Sequence, residues 1–266
     1  IKALALGLIF AKVLKTMVKK RNFAKNFKRA LTMAVILHID TSTNVCSTAL
    51  TSDGMILCHR EDFQGQNHAA LLSGFIKDCL DHARDHEMQL NAVAVSMGPG
   101  SYTGLRIGLS EAKGLAYALD VPLIGVDTLE LMVSHVMFDF SLELPENVLY
   151  APMIDARRME VFTGVYDLTL TPLLAPQPLI LDENSYGQFL ADNTVAFFGN
   201  GSQKWQPVCQ HPNAIFVPDV VPLASDMTAL AERAYSRGEF LDIAYSTPRY
   251  LKEFQATKPK SVFGTH

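Results

Sequence analysis

Four glycines and a proline crowd one short stretch, Gly98-Pro99-Gly100-Ser101-Tyr102-Thr103-Gly104-Leu105-Arg106-Ile107-Gly108, and this stretch limits what the chain can fold into. It follows Ala92-Val93-Ala94-Val95-Ser96, whose β-branched, apolar content predicts a buried strand, and it opens onto a helix-like run from Leu105 to Leu119. Strand, glycine turn and helix thus come in direct succession. Gly98 and Gly100 allow backbone paths that a Cβ would forbid, Pro99 stiffens the turn, and Ser101 or Thr103 can cap the helix. A helix start with free N–H groups suits an anion. A tight turn with no ligand needs the same residues, and neither G-x-G-x-x-G nor G-x-x-x-x-G-K-[ST] is spelled here, so both readings stand.

With 266 residues, 48% of them hydrophobic and 19% charged, the chain can bury a full core, which excludes an intrinsically disordered protein. Cys46, Cys58, Cys79 and Cys209 are far apart with no C-x-x-C pair, so neither a zinc site nor a disulfide framework is expected, and a reducing cytoplasm fits. Residues 1–33 hold nine Lys/Arg and no Asp/Glu, leaving 14 basic against 27 acidic residues in 34–266. That body, net −13, is a poor unaided binder of nucleic acid. In the leader, the apolar run Ala3 to Ala11 is broken by Lys12 and Lys15, too short to span a membrane. The leader suits an amphipathic or RNA-binding arm or a transit-type peptide; it is taken here as a basic extension ahead of Met33. The expected organisation is a basic extension 1–33, a first lobe 34–136, and a second lobe 137–266 with an extended tail.

Val35 to Asp40, Val45 to Leu50 and Met55 to His59 read as three strands in a meander, with Ser52-Asp53-Gly54 as a hairpin turn. Between Asn67 and His86, Leu71, Leu72, Phe75, Ile76, Cys79 and Leu80 recur at helical spacing. After the glycine turn come a strand at Val121 to Val126 and a helix from Thr128 to Val136. The second half starts alike: Val148 to Asp155 again ends in Ile-Asp, followed by strands at Glu160 to Tyr166 and Leu170 to Leu174, which suggests a duplication. A helix at Asp182 to Leu190, a strand at Val195 to Phe198, the turn Gly199-Asn200-Gly201-Ser202 and a helix at Asp226 to Arg237 ended by Gly238 complete the pattern. Thr247 to Lys252 reads as extended and the last dozen residues as a loose tail, with the lobe they join left open.

Four stretches in this order, Met33 to Ser42, Gly98 to Gly108, Ile154-Asp155-Ala156-Arg157 and Pro248-Arg249-Tyr250-Leu251-Lys252, resemble successive signatures of the TsaB (YeaZ) family and cover nearly all of 33–255. The resemblance implies an α/β fold of two actin/Hsp70/sugar-kinase-like (ribonuclease H-like) lobes, each a mixed sheet with flanking helices. It also implies a part in making threonylcarbamoyladenosine in tRNA, as a non-catalytic partner of the transferase TsaD, with the ATPase TsaE joining them. TsaD, a paralogue, carries an H-x-x-x-H metal pair after the strand that ends here in Val126. The matching positions are Thr128 and Met132, a hydroxyl and a thioether ill suited to such a metal, so no metal or catalytic residue is expected.

His82-Ala83-Arg84-Asp85-His86 spells H-x-x-x-H elsewhere, at the end of the first helix, where helix-dipole complementation is the ordinary explanation. His68 matches a histidine that family members carry at the head of that helix. Kinases of this superfamily need an acidic residue and glycines in each lobe's first hairpin; Asp40 and Asp155 remain while the glycines are gone. Asp40, Gly98, Gly100, Ser101, Asp155, Gly199 and Gly201 are therefore candidates for a residual nucleotide site only, with ATP or ADP expected, if anywhere, at the partner interface. Gly104, Gly108 and Ala112 repeat every four residues as a flat stripe for a foreign helix, edged by Tyr102, Arg106 and Leu109, and the first helix offers Leu71, Leu72, Phe75 and Ile76. Family members pair through these two helices, with TsaD or with a second copy, so a homodimer is expected in isolation, with tRNA met only through the complex and no membrane contact. The rivals are a small-molecule kinase or ATPase of the same fold and a metallopeptidase using His82 and His86.

Overall fold

The computed structural model describes residues 34–65 and 67–252, so the readings of the leader and of the last dozen residues fall outside the described residues. β1 (Val35–Asp40) is buried along its whole length and forms the centre of a five-stranded sheet. It pairs antiparallel with β2 (Cys46–Ser52), Val35 opposite Ser52 and Asp40 opposite Ser47, and β2 pairs with the edge strand β3 (Met55–Asp62). On its other side β1 runs parallel to β4 (Ala92–Ser96), and β4 parallel to β5 (Leu123–Val126). Parallel neighbours need crossovers. Helices α1 (His68–Asp85) and α2 (Tyr102–Ala118) supply them. Leu72, Ile76, Cys79 and Ala83 of α1, and Leu109, Ala112 and Ala116 of α2, pack with Leu37, Ile39, Val93 and Val95 into one core.

The second sheet repeats the scheme. β6 (Leu149–Asp155) is central, antiparallel to β7 (Glu160–Tyr166), which pairs with β8 (Pro172–Ile180). β6 is parallel to β9 (Val195–Phe198), and β9 to β10 (Ala214–Val217). The orders β3-β2-β1-β4-β5 and β10-β9-β6-β7-β8 correspond strand for strand, which bears out the duplication and the two-lobed α/β fold. Three local expectations are corrected. β8 runs to Ile180, well past Leu174, because Pro178 and Leu179 still find partners in Phe162 and Val161. The helix expected at 182–190 shrinks to α4 (Gly187–Leu190): the Asp182 carboxylate accepts from Asn184 N and Ser185 Oγ in a turn, and Tyr186 has φ of 61°. The strand β10 was not foreseen.

Two segments cross between the sheets. Helix α3 (Thr128–Phe138) turns Leu129, Met132, Val133 and Val136 onto Val148, Tyr150 and Phe198 of the second sheet. Its Leu131 faces the other way, into a cluster with Ile36, Ala94 and Ile124. That cluster is closed by a 3-10 turn (Ala224–Met227) and helix α5 (Thr228–Arg237), through Met227, Leu230, Ala231 and Tyr235. The chain therefore returns to the first sheet, where Leu241 N donates to Leu123 O.

Candidate functional site

The glycine turn leaves β4 at Met97, whose N–H donates to Val126 O, and Ser101 caps α2 by accepting from Gly104 N at 3.2 Å. Its glycines serve the turn between β1 and β2. A Cβ on Gly104 would run into Thr41 O, one on Gly108 into Thr41 Oγ1, and one on Gly100 into Ser42 O. Across that close approach Ser101 N donates to Ser42 O at 2.6 Å, and Thr41 Oγ1 donates to Gly104 O at 2.7 Å. The turn is thus an internal seat for residues 41–42, and the N–H of Ser101 is spent on protein.

Across this seat runs the segment Pro248–Lys252, which belongs to neither sheet and bends at Leu251 and Lys252. Each polar residue of that signature has a partner. Arg249 N donates to Met97 O and Arg249 Nη1 bonds Asp127 Oδ2 at 2.7 Å; Arg106 Nε donates to Tyr250 Oη at 3.0 Å; Lys252 Nζ pairs with Glu160 Oε2 at 2.6 Å. The Tyr102 and Tyr250 rings lie 4.9 Å apart, and the Arg106 guanidinium sits 4.1 Å from the Tyr102 ring centre. Asp127 also caps α3, accepting from Leu129 N and Glu130 N. Burial pushes its carboxyl above the usual range, opposed by Arg249 and by the cap bonds. Asp127 and Glu160 had not been singled out in the sequence; an Asp directly before an apolar run is a legible cap signal, but its distant partner is not.

Between the lobes lies a cleft of about 490 Å³, bordered by Ser42–Asn44, Pro99–Thr103, Asp155–Arg157, Asn200 and Arg249–Lys252. Of the residual nucleotide candidates, Gly100, Ser101 and Asp155 line it, while Asp40, Gly98, Gly199 and Gly201 do not. Asp40 is sealed in the first lobe, accepting from Ser42 N and Oγ at 3.2 and 3.0 Å, and burial raises its pKa to about 6. Asp155 accepts from Arg157 N and pairs with Lys204, and its own N–H donates to Asn200 Oδ1. Gly98, with φ of +104°, abuts Arg249 O; Gly199 abuts the Met132 methyl and Met153 O, and Gly201 abuts Val161.

Thr128 and Met132 are both buried. Met132 belongs to the second-sheet core, and the Thr128 hydroxyl has no hydrogen-bond partner among the described residues. A buried hydroxyl and a buried thioether are poor ligands for an oxygen- and nitrogen-binding divalent metal. His82 and His86 stack at 4.2 Å, with His86 Nδ1 on His82 O, and among the described residues no three His, Cys, Asp or Glu side chains converge as a metal cluster. His68 Nε2 bonds Thr43 O at 3.0 Å, tying the head of α1 to the β1–β2 turn.

The docking stripe needs correction. Gly104, Gly108, Leu109 and Ala112 face their own sheet, as do Leu72 and Ile76, so none of them presents a surface. Tyr102 and Arg106 are engaged by the 248–252 segment. Leu71 and Phe75 of α1 and Ile107 of α2 are half-buried, the last two leaning on the first-sheet core. Beside them Gly74 and Gly114, missed in the sequence, have open space where a Cβ would stand.

Comparison with known proteins gives consistent matches. The family described as TsaD, tRNA N6-adenosine threonylcarbamoyltransferase, matches residues 62–184. The tRNA threonylcarbamoyladenosine biosynthesis protein TsaB of Escherichia coli K12 is 31% identical over 232 residues, which span 84% of this chain and 96% of that protein. TsaB of Bacillus subtilis is 34% identical over 132 residues, 49% of this chain and 54% of the relative. Among solved structures, a Pseudomonas aeruginosa protein described as similar to peptidase YEAZ superposes with a TM-score of 0.70 at 29% identity, over 83% of this chain and all (100%) of that one. YeaZ from the same organism gives 0.65 at 29% identity, over 82% and 100%.

Proposed function

This chain belongs to the TsaB family and acts in threonylcarbamoyladenosine biosynthesis for tRNA, and on that premise we propose that it works as a non-catalytic subunit docking on TsaD through the outer surfaces of α1 and α2. The observation that supports this reading is the burial of Thr128 and Met132, with Met132 in the second-sheet core, at the two positions that the resemblance matches with the paralogue's metal pair. A second support is the pair of open helix glycines, Gly74 and Gly114, beside half-buried Leu71, Phe75 and Ile107. Small residues let a partner helix approach closely, and the apolar side chains give it area to bury. TsaE joins the pair, tRNA is met through the assembled complex, nucleotide sits at the partner interface, and without TsaD the same helices pair two copies of this chain.

The test uses the full chain, TsaD, TsaE, ATP, threonylcarbamoyl-adenylate and tRNA. The mixture should give a complex of this chain with TsaD on size exclusion and restore transfer. The double variant Gly74→Glu/Gly114→Glu should lose both while keeping its thermal transition. Equal transfer without this chain, or undiminished pairing by the variant, removes the proposal.

A further inference from the structure

Away from the cleft, two cysteines far apart in sequence meet. Cys58 on the edge strand β3 and Cys79 on α1, 21 residues on, have Sγ atoms 3.9 Å apart. Spacing alone gave no sign of this. Both are free thiols, Cys58 half-buried and Cys79 buried. Arg60 Nη1 lies 3.9 Å from Cys58 Sγ and donates to His59 O at 2.8 Å. Cys79 is enclosed beside Thr48, whose Oγ1 is 3.5 Å from its sulfur. Cys46, buried in β2, shares the first-sheet core with Cys79, while Cys209 lies in the second lobe.

We propose that Cys58 and Cys79 form an oxidisable dithiol that a hydroperoxide converts into an intramolecular disulfide, fastening α1 to the sheet edge. Cys58 Sγ attacks the peroxide O–O bond; the S–O bond forms, the O–O bond breaks, and the thiol proton leaves on the departing oxygen, giving a sulfenic acid and an alcohol or, from hydrogen peroxide, water. Cys79 Sγ then attacks the Cys58 sulfur; the S–S bond forms, the S–O bond breaks, and the Cys79 proton leaves with the oxygen as water. Both thiols are oxidised by the loss of one electron each, and the peroxide takes up both electrons. Closing the gap to a bond length of about 2 Å requires side-chain rotation or a shift of the edge strand. Burial pushes the Cys79 thiol up to about 12, and Cys58, the more exposed of the two, is the sulfur that meets the oxidant. The inference is independent of the docking proposal, since its readout is a covalent bond within one chain.

The experiment treats the full chain with hydrogen peroxide, alkylates it and reads its intact mass and peptide map. The expected result is the loss of two hydrogens, a linked peptide joining Cys58 to Cys79, and reversal by dithiothreitol. Cys58→Ser should abolish the loss, and Cys209→Ser should leave it unchanged. In Cys79→Ala, Cys58 should stop at a sulfenic acid that dimedone captures, which it does not do in the parent chain. Sulfinic acid at Cys58, a disulfide between chains, or no change in the parent under peroxide each overturns the proposal; if Cys79→Ala fails to fold, Cys58→Ser still decides it.

Discussion

Arg249 and Asp127, 122 positions apart, meet at 2.7 Å, and the same carboxylate that holds the guanidinium opens helix α3. One side chain therefore fixes both a helix start and the segment that crosses the glycine turn. Only 7% of the Asp127 side chain is exposed, against 59% for Arg249. Arg249→Ala is expected to cost only about 1 kcal/mol, because the guanidinium is largely solvated. Asp127→Ala loses the cap as well and should cost roughly 1–2 kcal/mol more. Urea unfolding of the two variants checks the order; equal losses would mean the cap contributes nothing.

Four glycines on two helices should respond in opposite directions. Gly104→Ala and Gly108→Ala press a methyl into Thr41 and should each lose about 2–3 kcal/mol. Gly74→Ala and Gly114→Ala meet open space and remove a flexible residue from a helix interior, so each should gain roughly 0.5–1 kcal/mol. Melting temperatures of all four variants provide the comparison.

The sequence pattern revealed that one face of α2 is made of small residues but not what lies against it. A four-residue repeat of Gly104, Gly108 and Ala112 looks the same whether the neighbour is a foreign helix or the chain's own turn at 41–42. The central strands, the glycine turn and the two Ile-Asp ends were legible because buried β-branched runs and turn residues are local signals. β10 escaped because Ala214 to Val217 is only four residues long and three of them are half-buried. Contacts such as Arg249 with Asp127 or Cys58 with Cys79 depend on chain crossings that no local pattern encodes.

Asp40 has a pKa raised to about 6 by burial, with the hydrogen bonds from Ser42 opposing and the charge of Asp226 adding. A raised folded pKa means that the fold favours the protonated acid; that contribution is full below the unfolded value near 4 and is lost as pH rises through about 6. Asp40→Asn, which mimics the neutral form, should therefore gain on the parent between pH 4 and 7, by an amount on the order of 2–3 kcal/mol. Chemical denaturation of both proteins across that range tests the sign. A constant difference would show that Asp40 does not titrate there.

His38 works in the opposite sense. Burial lowers its pKa to about 3, with Nε2 on Thr51 Oγ1 at 2.8 Å, so the unfolded chain takes up a proton first as pH falls from about 6.5 towards 3. Stability from His38 is lost over that window. The Asp40→Asn variant, freed of the opposing titration, should thus show a steeper acid decline between pH 6 and 4 than the parent, measurable in the same series.

Trp205, the single tryptophan, is buried beside Phe197 with its indole N–H on Asp182 O at 2.8 Å, so its emission reports on the second sheet. Among the described residues the two longest helices, α1 and α2, lie on the first, and the helical circular dichroism signal follows them. Because α3 packs on both sheets, and α5, which follows the second sheet in the chain, packs on the first, both probes should pass through one shared urea transition. Two separated midpoints would show that the lobes unfold independently.

The return of α5 to the first sheet has a consequence for synthesis. While the chain is growing on the ribosome, the surface made by Ile36, Ala94 and Ile124 is covered only by Leu131 of α3 until Met227 and α5 have emerged, although the strands that carry it are completed about a hundred residues earlier. The nascent first lobe is thus a natural client for a holding chaperone, and a message cut short before α5 yields a product with a sticky back rather than a smaller working protein.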